Sequence, residues 1–239
     1  MRTITRFEEM NLTATQALKR IRVLAIAAAI AACGSRPPLP VSLTYSPDPS
    51  VATVPAAERV HVEVTVNDDR QNKNTVGVFG VDVTPGKGFL SGVPIATNDD
   101  LAKLIRSAIQ SELSNRGFEL GPGNARVVVD LKGIEGKLGN DSFINPRLIA
   151  RAMVVMQVEV ASSSRNGLYS KGIDGKDIST VKKGETASSA LERALNYAID
   201  DAVRNLMADR EFIDALLATG KPVTAIQATA ASPTPLASP

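Results

Sequence analysis

Valine occupies every second position of Arg59–Val66, "RVHVEVTV", with Val60, Val62, Val64 and Val66 on one side and His61 and Glu63 on the other. A two-residue period of this kind predicts a half-buried strand. The same alternation recurs in Val76–Val83, "VGVFGVDV", where Gly77 and Gly80 interrupt it and predict a bulge or a close backbone approach. Between Thr97 and Phe118 the period changes to that of a helix. Leu101, Leu104, Ile105, Ala108, Ile109 and Leu113 form an apolar stripe, Thr97 or Asn98 is placed to cap it, and Gly117 to stop it. Further strands are predicted at Ala125–Leu131 and Leu148–Ala161, the latter paired through "SSRNG" with Gly167–Ser179 as a hairpin. A second long helix follows over Gly184–Asp209, with Leu191, Leu195, Ala198, Ala202 and Leu206 on its buried side, and a short third over Glu211–Ala218.

The order β-β-α-β-β-β-α-α predicts an α+β fold: a single domain with an antiparallel or mixed sheet and two long amphipathic helices packed on one face. The other face of the sheet is then polar and open to a partner. The patterned region, residues 58–219, is large enough to bury its own core.

The chain outside that region reads differently. Val23–Ala32 is ten consecutive apolar residues, preceded by Lys19, Arg20 and Arg22 and followed by Cys33-Gly34-Ser35. A membrane-spanning helix needs roughly 20. A basic flank, a short apolar run and then small residues is the order of a secretory signal, predicted over residues 1–32. Glu8 and Glu9 are unusual ahead of such a signal, and Met10 opens a more regular one.

Ile30-Ala31-Ala32-Cys33 resembles a bacterial lipobox, whose cysteine thiol accepts the lipid after cleavage at the preceding bond. Cys33 is the only cysteine, so it has no intramolecular disulfide partner, and lipidation accounts for its position. The expected state is a chain anchored in the membrane by acyl groups rather than spanning it. Gly34 follows Cys33, where lipoproteins retained in the inner membrane tend to carry Asp. The expected address is therefore the outer membrane, facing the periplasm. Residues 33–57, with six prolines from Pro37 to Pro55, predict a tether that holds the domain off the bilayer, with one short strand at Val41–Tyr45. Residues 220–239 predict a disordered low-complexity tail.

Composition narrows the function classes. The 239 residues carry a net charge of +2, which makes no case for nucleic acid. Aromatics are 4% with no Trp, so stacking platforms for bases or sugars are poorly supported. A single His, His61, excludes multi-His metal sites, and no cofactor is expected. "GVDVTPGKGF", Gly80–Phe89, misses the phosphate-loop spacing and reads as a hairpin loop. Asn67-Asp68-Asp69-Arg70 reads as a turn with an Asp–Arg pair, Asp200-Asp201 as a solvated helix face, and His61 as a solvent-facing strand residue. Ser188, Ser189 and Ser162–Ser164 have no catalytic motif around them.

The chain resembles the YajG family of bacterial lipoproteins. The likeness is carried by Ala31-Ala32-Cys33 and by "VTVNDDR", "LSNRGFELGP", "ARVVVDL", "ARAMVVMQVEV", "ALNYAIDDAVRNLMAD" and "EFIDALL", in that order, over Arg59–Leu217. The resemblance implies an envelope lipoprotein and supplies no catalytic residue. Two functions remain: a non-catalytic, membrane-anchored binding or assembly module for a protein partner or another envelope component, through the polar sheet face or an exposed strand edge, and an envelope hydrolase with an unrecognised site.

Overall fold

The computed structural model describes residues 37–48, 50–79, 93–140, 147–162 and 167–220. Eight strands build one mixed sheet: β1 Leu39–Pro40, β2 His61–Asp68, β3 Thr75–Phe79, β4 Val93–Ala96, β5 Glu119–Leu120, β6 Ala125–Asn140, β7 Leu148–Ser162 and β8 Tyr169–Thr180. Three helices complete it: α1 Leu101–Asn115, α2 Ala187–Ala208 and α3 Arg210–Thr219. The class is α+β, as the pattern predicts.

β6 organises the sheet. One of its edges pairs with β7 in antiparallel register, from Ala125 opposite Ser162 to Asn140 opposite Leu148. Its other edge is shared. β2 lies parallel to its first half, Val62 opposite Ala125, and β3 parallel to its second half, Gly77 opposite Gly136. β8 pairs antiparallel with β7, β4 antiparallel with β3, and the short β1 and β5 parallel with β4 and β2. A bulge between Leu131 and Gly133 on β6 falls where the neighbour changes from β2 to β3.

The core lies between one face of this sheet and the helices. Val62, Val64 and Val66 of β2, Val127, Val129 and Leu131 of β6, and Val154, Met156 and Val158 of β7 are buried. The predicted stripes of α1 and α2 bury against them, including Leu101, Ile105, Ile109, Leu191, Leu195 and Leu206. Two glycines let α2 approach. A Cβ on Gly175 would lie 2.2 Å from the Ala198 carbonyl oxygen, and one on Gly136 3.0 Å from Leu191.

The sheet is mixed, one of the two predicted alternatives, because β2 and β3 lie parallel along β6. Other expectations change. β6 runs nine residues beyond the predicted Leu131, and β4 joins the sheet with Pro94 inside it. Asp100, not Thr97 or Asn98, caps α1: its side chain accepts from the Lys103 N–H at 3.0 Å. The folded unit begins at Pro38 rather than at 58. Residues 38–57 are not a free tether: Val41, Leu43 and Ala57 are buried, and the short strand is at Leu39–Pro40 rather than Val41–Tyr45. Apolar side chains at alternate positions Leu39, Val41 and Leu43 supply the driving force that the proline count conceals. The signal, Cys33 with Ile30, Ala31 and Ala32, Gly80–Phe89, and the tail from 221 lie outside the described residues.

Candidate functional site

The first described residues follow α2 in a repeating register. The Ser188 hydroxyl donates to the Pro40 carbonyl at 2.7 Å, and the Ser42 N–H donates to Glu192 Oε2 at 3.1 Å. The Thr44 N–H donates to Asn196 Oδ1 at 2.9 Å, and Asn196 Nδ2 donates back to Thr44 Oγ1 at 3.2 Å. Asp200 continues the same spacing on the helix beside Ser46, and its Oδ1 is buried without a hydrogen-bond partner. Every second residue of the extended segment thus meets every fourth residue of the helix. The physical reason is a match of rises. Two extended residues advance about 6.6 Å, and four helical residues advance about 6 Å.

The opposite side of the segment is held by α1 and the loop before it. The Leu43 N–H donates to Asp99 Oδ2 at 2.6 Å. Glu112, only 1% exposed, accepts from the Tyr45 hydroxyl at 2.7 Å, the Asp48 N–H at 3.2 Å and Arg116 Nη1 at 2.5 Å. A buried carboxylate is tolerable there because both oxygens are hydrogen-bonded and a guanidinium balances the charge. Burial, and then the bond to Glu112, push the Tyr45 hydroxyl well above its ordinary pKa. Asp200 is also shifted upward, first by burial. The reading of Asp200-Asp201 as a solvated face is therefore corrected: Asp200 is half-buried under the entry segment, and Asp201 accepts the Lys176 N–H at 3.0 Å.

That last bond belongs to a second feature, the closed outer edge of β8. Asp201 takes the Lys176 N–H, Asn205 Nδ2 donates to the Asp174 carbonyl at 2.9 Å, and Arg193 donates to the Thr180 carbonyl at 3.2 Å. Polar side chains of α2 thus occupy backbone groups that an added strand would need.

The sheet face away from the helices is open. Cross-strand rows alternate charge along it: Glu63 beside Arg126, Asn67 beside Asp130 and Gln157, Glu135 beside Met153 and Lys176. His61 lies on this face, exposed, 3.1 Å from Glu119. Asp68 pairs with Arg70 through two contacts of 2.7 and 2.8 Å, as the turn reading expects, and the guanidinium lowers its pKa.

An open cleft of about 560 Å³ lies between β2 and the start of α1, lined by residues including Asp68, Lys73, Asp99 and Asp100. Its acids already have structural work: Asp68 holds Arg70, Asp99 holds the entry segment, and Asp100 caps α1. Ser188 is committed to Pro40. Among the described residues no cluster of three His, Cys, Asp or Glu side chains forms a metal site, and no helix is long and apolar enough to cross a membrane.

Residues 47–216 match the model of a family described as an uncharacterized lipoprotein. The chain belongs to this lipoprotein family, of YajG type. The lipoprotein is similar to a crystal structure of a Xanthomonas campestris protein, at 11% identity and a TM-score of 0.47, over 75% of this chain and 95% of that one. It is also similar to a minor lipoprotein of Acinetobacter baumannii, at 10% identity and a TM-score of 0.37, over 65% and 93% of the two chains. Among curated proteins none matches the lipoprotein.

The sequence reading missed Glu112, Glu192 and Asn196. A signal for them was present. Glu112 interrupts the apolar stripe of α1 on its buried side, and 188, 192, 196 and 200 are polar residues at spacings of four beside the stripe of α2.

Proposed function

We propose that this lipoprotein is a non-catalytic binding or assembly module of the bacterial envelope. Cys33 anchors it by lipid in the outer membrane, and its open sheet face is turned to a protein partner in the periplasm. The observation that carries the reading is the combination of family membership with an uncovered, charge-patterned sheet face. An open β-face with free side-chain rows offers complementarity to a protein surface. Strand addition along the outer edge of β8 is disfavoured, since α2 occupies Asp174, Lys176 and Thr180 there. The acids and hydroxyls described above are engaged in holding the fold, which removes support from the hydrolase reading.

Metabolic labelling with a palmitate analogue, followed by membrane fractionation, tests the anchor. Label is expected on the wild-type chain in the outer-membrane fraction and absent from Cys33→Ala. Unlabelled wild-type protein in the soluble fraction would overturn the anchor. Photo-crosslinkers placed at Glu63 and Gln157 test the partner, with a discrete protein adduct as the expected result.

A further inference from the structure

The open face has two unlike ends. At one, Glu63, Glu119, Asp130 and Glu159 outnumber the bases Arg126 and Lys132 that stand among them. At the other, one register row crosses four strands: Val78 on β3, Lys137 on β6, Arg151 on β7 and Ile178 on β8. Val78 is 44% exposed and Ile178 71%. Met153, one row in on the same face, is 37% exposed. Val78, Met153 and Ile178 are three of the six large apolar side chains that stand exposed among the described residues. Lys182 and Lys183, exposed in the turn after β8, extend the basic rim of the same end.

This arrangement costs stability. Lys137 and Arg151 are directly opposite one another, and like charges so placed repel. Glu135 pairs with Lys137 at 2.7 Å, and Lys176 pairs with Asp174, while Arg151 has no ion-pair partner among the described residues. Exposed aliphatic residues ringed by Lys and Arg suit the boundary between acyl chains and anionic headgroups.

The chain's own course places this end. β3 runs toward Phe79 at the basic end, β4 returns antiparallel from Val93, and β1 lies parallel to β4. Followed backward, the chain therefore leaves Leu39 toward the basic end. Four residues lie between Cys33 and Pro38, and the five steps from one to the other reach at most about 18 Å when fully extended.

We infer that the row Val78–Lys137–Arg151–Ile178, with Lys182 and Lys183, docks on the anionic headgroups of the membrane that holds the anchor. The inference rests on lipidation of Cys33. Docking stands the sheet on its basic end and leaves its acidic end projecting for the protein partner.

The test uses full-length lipidated protein reconstituted into phosphatidylethanolamine–phosphatidylglycerol vesicles. With the Cys33 thiol occupied, Ile178→Cys and, separately, Glu63→Cys provide a single free thiol for an environment-sensitive dye. The dye at 178 is expected to shift to the blue and to be quenched by headgroup spin-labelled lipid, and the dye at 63 to do neither. Lys182→Glu with Lys183→Glu, in an exposed turn that leaves the core untouched, is expected to weaken the docked population at least about fivefold, as is raised salt. A blocked Cys33 with position 178 unquenched overturns the docking alone, as does a photo-crosslinker at 178 that captures protein rather than lipid. A free Cys33 thiol on the wild-type chain overturns the anchor and the docking together.

Discussion

The same strands present two faces built on opposite rules. Toward the helices, Val154, Met156 and Val158 of β7 meet the stripes of α1 and α2, and glycines are spent to bring α2 within backbone contact of β8. Away from them, Arg151, Met153 and Glu159 of the same strand stand exposed. One face is specified by shape, where a single added methyl group collides. The other is specified by charge, where most substitutions leave the fold alone. Binding properties can then change on the open face while the folded unit is kept.

Substitutions on the covered face should have the largest effects. Gly175→Leu drives a side chain into Ala198 and Ala202 of α2, and is expected to cost about 3 kcal/mol or more. Urea unfolding should show this as a lower midpoint with an unchanged slope. Glu112→Ala is expected to cost about 3 kcal/mol, because it leaves Arg116 without its carboxylate and the Tyr45 hydroxyl without its acceptor. Faster proteolysis within residues 38–48 should accompany that loss, since Glu112 holds the segment down.

A smaller effect sits at the rim between the faces. Burial makes Asp200 hold its proton more tightly in the folded chain than in the unfolded one. The sign follows: the wild-type chain loses stability from this group as pH rises through and above the ordinary carboxylate range. Asp200→Asn keeps the shape of the side chain and removes the ionisation. Above about pH 5 it should be as stable as wild type or more so, with a flatter pH profile in thermal melts. The smallest effect is expected on the open face. Arg151→Glu should leave Tm within the change set by about 0.5 kcal/mol while altering vesicle docking. A large fall in Tm for Arg151→Glu would break the contrast between the faces.

Strand and helix periods were legible where one side of an element is wet and the other dry, as in "RVHVEVTV" and the α1 stripe. The second half of β6, "KGIEGKLGN", was not, because its glycines read as loop. In the structure Gly136 sits under Leu191 and Leu195 and against Gly77, so the missing side chains answer to neighbours far away in sequence. β4 was hidden by its four-residue length and by Pro94. The entry segment was hidden because it is extended without a long ladder: its partners are side chains of α1 and α2, and prolines at 37, 38 and 40 masked its alternating apolar positions. The resemblance of Ile30–Cys33 to a lipobox is a matter of four adjacent residues, and they lie outside the described residues. The open face was anticipated from the element order, but its division into a basic and an acidic end needed the register.

The ladder between the entry segment and α2 also has a mechanical meaning. Its rungs at Pro40, Ser42 and Thr44 lie along one line, parallel to the helix that carries them. Tension arriving through Pro38 runs along that line and loads the rungs together, as a lap joint is loaded in shear. It does not open them one by one from the end, as peeling would. A pull on the first described residues is thereby shared along the length of a helix.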